Sequence, residues 1–316
     1  MENIKHAEPV VEREFETSAH LLSEFMRSEQ SSTFCYPHSL LFRGEPSDKF
    51  SLIPSALRPE RQEEFNQMAY EAGCLINVKS SFNEGDHVQC ELRLAKYFYN
   101  ASNEQGLSLP PLPYKWHERM LNDWFFEGTD KEWIPKELAE MVALMQHYGL
   151  PTRMLDWSSN ILTALYFAAS GAAQRLTDNA INENDYMVVW ILRKPDEYDF
   201  KSYMHDAFPI RFVTPSYAGN PNLNAQKGVL TYVPSYAFSK SMDYALPLDQ
   251  YLKKFYAEPN HTCDEPVLTK ARIPITDCHD TLKILFNFGI NGASLFPGYG
   301  SIRRQLNEKR YFINLL

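Results

Sequence analysis

Short polar motifs carry the side chains of this 316-residue chain that could bind or transform a ligand. The first is Phe42-Arg43-Gly44-Glu45, at the end of a short apolar run. A guanidinium beside a glycine suits a phosphate or a carboxylate, because its fork of N–H groups can donate to two oxygens at once. The structural alternative is that Arg43 is paired inside the protein, with Glu45 as the nearest carboxylate.

The second motif is the run of residues 146–157, QHYGLPTRMLDW, which lies between two predicted helices. His147 and Tyr148 end the first of these helices. Thr152 and Arg153 occupy an extended link after Pro151, because a proline disfavours helical geometry at the residue before it and so interrupts the helix. Imidazole, hydroxyl and guanidinium groups in so short a loop could surround an anionic or ribose-bearing ligand.

Asp156 and Gln226 are the remaining candidates. Asp156 could cap the next helix or hold Arg153, and this structural role, with Asp156 as a cap and Arg153 as its ion-pair partner, is favoured over ligand binding. Gln226 lies in the third motif, Ala-Gln-Lys-Gly at 225–228, at the entrance of a predicted strand. Its amide could bond to a ribose or to another amide.

The elements that must position these motifs follow from hydrophobic periodicity. Strands are predicted near 39–43, 186–192, 228–233 and 267–273. Helices are predicted near 14–27, 86–98, 116–126, 137–146, 161–169 and 280–288, and Asp86 is expected to cap the second. Helices dominate the first half and strands the second, which favours an α+β fold over alternating βαβ units.

Composition excludes several classes of function. The formal net charge is −9, which argues against generic binding to nucleic-acid backbones. No apolar run is long enough to span a membrane, and the polar N-terminus lacks a secretory signal, so a cytoplasmic location is expected. The five cysteines are expected to be free thiols. Cys263, Cys278 and nearby histidines fit no common zinc spacing, so no metal is expected.

Taken in order, the motifs resemble the FRG domain family. The matching segments are 42–44, 52–55, 146–157, 164–168, 225–228 and 296–298. The resemblance extends from about residue 35 to 307, and the run 146–157 is its most specific part. It divides the chain into an N-terminal helical extension, 1–34, and an FRG-like domain, 35–316, with a helical insertion at about 60–135.

The FRG family is distantly similar to ADP-ribosyltransferases, and this similarity implies a bent, split β-sheet that binds NAD. Arg43 would grip the phosphate or ribose of NAD as a substrate. The residues expected to bind NAD are Arg43, Gly44, Thr152, Arg153, Asp156 and Gln226. The residues expected to act in catalysis are Arg43, His147, Tyr148 and Glu45. These side chains should converge on one nucleotide pocket.

One departure from the transferase pattern leaves the activity open. Such enzymes place a glutamate at the entrance of a late strand, where it stabilises positive charge as nicotinamide leaves. Here that entrance offers Gln226, so Glu45, Asp156 or another carboxylate that the sequence does not place would have to substitute. The leading hypothesis is an NAD-cleaving enzyme or ADP-ribosyltransferase acting as a toxin or in bacterial defence, with its macromolecular acceptor open. The alternative is a non-catalytic module that binds a nucleotide or a protein in the same cleft.

Overall fold

The computed structural model describes residues 7–27, 40–74, 83–122, 132–178, 180, 182, 184–195, 208–217, 220–236, 239, 241 and 244–313. The strands are β1 (Val10–Glu14), β2 (Leu40–Glu45), β3 (Glu132–Trp133), β4 (Leu155–Ser158), β5 (Tyr186–Arg193), β6 (Arg211–Val213), β7 (Gly228–Tyr232), β8 (Ser235–Tyr236) and β9 (Leu268–Pro274). The helices are α1 (Ser18–Arg27), α2 (Gln62–Glu71), α3 (Glu84–Glu104), α4 (Tyr114–Leu121), α5 (Ala139–His147), α6 (Ile161–Thr177), α7 (Pro221–Ala225), α8 (Leu248–Tyr256), α9 (Cys278–Asn287), α10 (Gly292–Leu295) and α11 (Tyr299–Ile313).

A mixed sheet organises the described part of the chain. Its strand order is β1-β9-β5-β2-β4-β7-β6, and β3 pairs with β8 in a separate ribbon. The β1–β9 pair is parallel, and the other described pairs are antiparallel. The α+β prediction is confirmed, and the four predicted strands correspond to β2, β5, β7 and β9. The helices are not confined to the first half of the chain.

The N-terminal segment contributes a strand that periodicity did not predict. β1 lies at the edge of the large sheet and pairs with β9 from Val10 opposite Leu268 to Glu14 opposite Arg272. Its outer residues are exposed and charged, as is usual for an edge strand, so it lacks the apolar alternation that identifies a half-buried strand. The helix predicted at 14–27 begins later, at Ser18. The segment before residue 35 is therefore not purely helical.

Strand β5 is buried on both faces, which explains its continuous apolar sequence. Met187 and Val189 belong to a core cluster beneath α6 and α9. Val188 and Trp190 belong to a second cluster, which includes Leu248 of α8. The sheet thus separates two apolar layers, and the alternation of side chains along each strand decides which layer a residue joins.

Helix α6 packs directly on β2 through Gly44. A Cβ added at this glycine would lie 1.8 Å from the carbonyl oxygen of Ala164 and 2.7 Å from the amide nitrogen of Ala168. Only a residue without a side chain allows the two backbones to come this close. The glycine expected to contact NAD therefore has a packing role, and its face of β2 is occupied by α6.

Two of the predicted helix caps are placed differently. Asn83 is the N-cap of α3, where its side-chain oxygen accepts from the Asp86 amide at 3.1 Å. Asp86 completes the capping box by accepting from the Asn83 amide at 3.1 Å. Asn160, not Asp156, caps α6, because it accepts from the Leu162 amide at 2.9 Å.

The remaining helix predictions are largely matched. A 3-10 turn at Lys136–Leu138 leads into α5, and α9 follows the prediction at 280–288. The predicted helix at 116–126 corresponds to α4 up to Leu121, and residues 123–126 lie outside the described residues. The domain boundary at 34/35 and the limits of the insertion stay predictions. Among the described residues, no helix is both long and apolar enough to cross a membrane.

The contact at Gly44 generates a stability prediction. Gly44→Ala should lower the free energy of unfolding by ~1–3 kcal/mol or more, because the new methyl group meets backbone atoms that cannot move independently. Gly300→Ala is the matched control, since a Cβ there has no atom within 4 Å and lies in α11. Urea denaturation of the two variants and the parent chain measures the effect. Equal unfolding midpoints for the two variants would contradict the packing role of Gly44.

Candidate functional site

The loop between α5 and β4 begins with a glycine turn that the sequence predicted. Gly149 has a φ of 92°, which is the left-handed conformation common just after a helix. The Leu150 amide donates to the Met145 carbonyl oxygen at 3.2 Å, and the Gly149 amide donates to the Gln146 carbonyl oxygen at 2.9 Å. These two hydrogen bonds close the C-terminal end of α5, and the chain then continues towards the sheet.

Arg43 lies where β2 and β4 separate. β2 pairs with β5 from Leu40 to Glu45, but the described pairing of β2 with β4 is at Phe42 opposite Ser158. The guanidinium of Arg43 bridges the gap beyond this pair. Its Nη1 donates to the carbonyl oxygen of Asp156 at 2.8 Å, and its Nε donates to Glu45 Oε1 at 2.8 Å. The predicted internal partner of Arg43 is therefore present.

Asp156 presents the most exposed carboxylate at this gap. Its side chain is 71% exposed, and Oδ2 lies 4.0 Å from Nη1 of Arg43. Gln146 Nε2 donates to Asp156 Oδ1 at 2.7 Å, and the Thr152 hydroxyl donates to Gln146 Oε1. A continuous set of hydrogen bonds thus runs from Thr152 through Gln146 to Asp156. It fixes the orientation of a carboxylate that faces solvent.

Sequence reasoning included Gln146 in the motif but assigned it no role. A signal was present, because Gln146 begins the polar run just before the helix end. What the sequence does not contain is the distance to Asp156, ten residues later. Gln146, Thr152, Asp156, Arg43 and Glu45 form the group of contacting polar residues that we call the gap site.

His147 and Tyr148 follow Gln146 at the end of α5. Both are exposed, Tyr148 to 69%, and their rings contact each other edge to face at a centroid distance of 5.2 Å. They are accessible beside the gap site, but no described hydrogen bond joins their side chains to it. Their expected part in catalysis stays a prediction.

Arg153 does not lie at the gap site. It is 3% exposed, and its partner is Glu91 of α3 rather than Asp156. Nε lies 2.8 Å from Glu91 Oε2 and Nη2 lies 2.9 Å from Oε1, which is a bidentate arrangement. The expected Arg153–Asp156 pair is wrong, because the side chain points into the interior between β4 and α3.

Glu91 also holds two further buried groups. Trp133 Nε1 donates to Glu91 Oε2 at 2.5 Å, and His87 Nδ1 lies 2.8 Å from Oε1. The other ring nitrogen of His87 lies 2.8 Å from the Ala56 carbonyl oxygen. The spacing of His87 and Glu91, four residues apart among apolar residues, was the available signal for this cluster.

The pKa of Glu91 reflects the balance within the cluster. Burial alone raises the pKa of a carboxyl group, but the charge of Arg153 and the contact with His87 outweigh it, and the pKa of Glu91 is about 2. Glu91 is therefore ionised at neutral pH, and its charge is compensated by Arg153.

Gln226 contacts a different part of the fold. Its side-chain Nε2 donates to the Leu295 carbonyl oxygen at 3.1 Å, and its main-chain carbonyl oxygen accepts from Ser158 Oγ at 2.6 Å. The first bond joins the start of β7 to α10, where Leu295 belongs to an apolar cluster, and the second joins it to the end of β4. The contacts of Arg43, Arg153 and Gln226 thus place them in three separate environments, and the expected single pocket is not formed by these side chains.

Comparison with protein families finds a match for one stretch of the chain. Residues 38–176 match the FRG domain, a stretch that contains β2, the run 146–157 and nearly all of α6. These residues belong to the FRG domain family. The segments at 225–228 and 296–298, which contributed to the resemblance, lie beyond the matched residues. No curated protein and no solved structure matches the chain.

The buried pair predicts a large loss of stability on single substitution. Glu91→Gln should lower the free energy of unfolding by ~3–5 kcal/mol, because Arg153 would remain as a buried charge without a carboxylate. The control is Glu64→Gln, which removes the exposed Arg61–Glu64 pair and should change the free energy of unfolding far less, because water and salt screen an exposed pair. Urea denaturation measures both. A decrease in the free energy of unfolding for Glu91→Gln no larger than that for Glu64→Gln would contradict the structural role of the Glu91–Arg153 pair.

The same pair predicts a pH dependence. A carboxyl group whose pKa is about 2 in the folded chain, against 4.5 ordinarily, stabilises the fold above its unfolded pKa and loses that contribution as the pH falls. The stability difference between the parent chain and Glu91→Gln should be constant above about pH 5 and shrink towards pH 2. Denaturation curves at several pH values test this. A difference that does not change over this range would show that Glu91 is not ionised in the folded chain.

Proposed function

We propose that the chain binds NAD at the gap site and cleaves the bond between nicotinamide and ribose, as an ADP-ribosyltransferase-like enzyme. One observation carries the proposal: the exposed carboxylate of Asp156 is held by Gln146 beside Arg43, where β2 and β4 diverge. A sheet that opens between two central strands is also what the distant similarity to ADP-ribosyltransferases implies.

The charge of the gap site suits this chemistry. Arg43, Glu45 and Asp156 together carry one positive and two negative formal charges. When the bond from ribose to nicotinamide breaks, its electron pair moves to the ring nitrogen and positive charge develops on the ribose. A carboxylate already oriented by hydrogen bonds stabilises this charge without reorganising.

Asp156 would therefore take the role expected of a late-strand glutamate. Its free lone pairs can accept from ribose hydroxyl groups, and its carboxylate faces solvent, where a nucleophile can approach. Water or the hydroxyl, amine or carboxylate of an acceptor adds to the ribose carbon, and nicotinamide leaves as a neutral molecule. Water, a hydroxyl group or an amine loses one proton in the same reaction, whereas a carboxylate adds without losing one.

Arg43 would act on the phosphate end of NAD. Nε and Nη1 are engaged by Glu45 and by the Asp156 carbonyl oxygen, and Nη2 has no acceptor among the described residues. The two internal bonds hold the plane of the guanidinium, so the remaining donors point in a fixed direction. Exposed Tyr148 offers an aromatic ring for stacking against a base.

A non-catalytic binding module is the second candidate, and Gln226 favours it. The entrance of β7 carries an amide that is bonded to Leu295 instead of a free carboxylate. If Asp156 does not replace that group, the gap site would bind a nucleotide without cleaving it. Binding without release of nicotinamide distinguishes this candidate from the enzyme.

The enzymatic proposal predicts a specific effect at Asp156. The parent chain should release nicotinamide from NAD, and Asp156→Asn should slow the release by ~10²–10³-fold, since a neutral amide stabilises less positive charge. Asp178→Asn is the matched control, because Asp178 is also exposed and accepts from a glutamine amide, that of Gln174, at 2.9 Å. Chromatography of the released nicotinamide provides the rate, and a thermal melt of each variant checks folding.

Two outcomes would count against the enzyme. An unchanged rate for Asp156→Asn would exclude the carboxylate from catalysis. NAD binding by calorimetry with no nicotinamide release from the parent chain would leave the binding module as the function.

Arg43 generates a separate prediction about binding. Arg43→Ala should weaken NAD binding by ~1.5–3 kcal/mol, roughly tenfold to over a hundredfold. Arg43→Lys keeps the charge but loses the planar fork, so it should restore only part of the affinity. Calorimetric titration is paired with a thermal melt, because Arg43 also joins Glu45 to β4. Lower melting temperature with unchanged affinity would make Arg43 a structural residue alone.

A further inference from the structure

A cavity of about 300 Å³ has Arg153 in its wall. The residues after β2, the end of β7 and one side of α8 form its walls. Arg43, Asp156 and Gln146 are not among its described lining residues. The cavity is therefore a separate candidate binding site, and it lies within the volume range of small-molecule sites.

We propose that this cavity binds a neutral, flat heteroaromatic ring that carries a carbonyl oxygen, of the oxopurine type. The proposal does not depend on the cleavage of NAD. It follows from an unused donor in the cavity wall, from the aromatic side chains around it and from the balance of charge.

The unused donor belongs to Arg153. This side chain is 3% exposed and lines the cavity. Nε and Nη2 donate to Glu91, but Nη1 has no acceptor among the described residues. Nη1 is not among the described side-chain atoms that are fully buried without a partner, so a molecule in the cavity can reach it. A ligand oxygen that accepts from Nη1 forms a charge-assisted hydrogen bond, so the cavity favours an acceptor at that point.

The aromatic residues favour a flat ligand. Tyr232 lines the cavity from β7, Tyr251 and Phe255 from α8, and Tyr244 from the segment before α8. The rings of Tyr251 and Phe255 are stacked at a centroid distance of 6.4 Å. One face of Phe255 is already covered by His261, at 3.8 Å. Flat rings gain contact with such walls at little cost in conformational entropy.

The charges around the cavity favour a neutral ligand. The charge of Arg153 is compensated by Glu91 directly behind it. Lys254 lines the cavity, but so do Glu84 and Glu258, so there is no excess of positive charge to attract a phosphate or a carboxylate. Glu84 can instead accept from a ring N–H. A ring that combines a carbonyl group with an N–H group matches both the guanidinium and this carboxylate.

Calorimetric titration of the full chain tests the proposal with hypoxanthine as the probe. Hypoxanthine should bind with one site per chain. Purine, which has the same rings without the oxygen, should bind at least tenfold more weakly, because it leaves Nη1 of Arg153 unpaired. Nicotinamide, an aromatic amide on a single ring, shows whether the site takes the base released from NAD rather than an oxopurine.

A pair of substitutions on α8 locates the site without disturbing the Glu91–Arg153 pair. Tyr251→Leu should weaken hypoxanthine binding about tenfold through the loss of a stacking wall. Tyr256→Leu is the matched control: Tyr256 is partly buried against the same apolar cluster but does not line the cavity, and binding should change by less than about twofold.

Three results would overturn the proposal. The absence of binding by hypoxanthine up to its solubility limit excludes the ligand class, and tighter binding of nicotinamide than of hypoxanthine excludes the oxopurine assignment. Purine binding as tightly as hypoxanthine excludes the carbonyl contact with Arg153. Equal losses for Tyr251→Leu and Tyr256→Leu, with both variants folded by thermal melt, place the binding elsewhere.

Discussion

The placement of the run 146–157 depends on one buried carboxylate. Glu91 accepts hydrogen bonds from Arg153 and Trp133 and contacts His87, so it joins α3, β3 and the chain just before β4. Because an unpaired charge is strongly unfavourable in the interior, none of these segments can shift independently. α3 lies within the region that the sequence suggested was an insertion, yet it supplies the group that holds the motif.

The placement of Arg153 determines the environment of the residues around it. The guanidinium of Arg153 turns inward to Glu91. The neighbouring Thr152 orients Gln146, and Gln146 in turn orients Asp156. The same inward turn places Arg153 in the wall of the cavity beside α8. Arg153 thus contributes to the wall of the cavity, while its neighbour Thr152 belongs to the gap site.

The two sites differ in how their charges are compensated. In the gap site Arg43 is shared between Glu45 and a backbone oxygen, and Asp156 remains exposed, so negative charge is in excess. In the cavity the charge of Arg153 is compensated by Glu91, and several of the wall residues are aromatic. The first environment favours positive charge that develops in a reaction, and the second favours the binding of a neutral ring. The proposed activity and the proposed ligand therefore depend on different side chains.

The local sequence determined those helices, strands and helix ends whose sequence patterns extend over only a few residues. The apolar runs of β5 and α6, the glycine that ends α5 and the strand that carries Arg43 were all predictable, because periodicity and helix-stop chemistry act over short distances. Tertiary structure decided the partners. Arg153 pairs with a residue 62 positions away, Gln226 with one 69 positions away, and Gly44 is required by a helix that follows more than a hundred residues later. Hydrogen bonds and steric contacts of this kind depend on distances in space, and a residue's type shows only that it needs a partner, not which partner the fold provides.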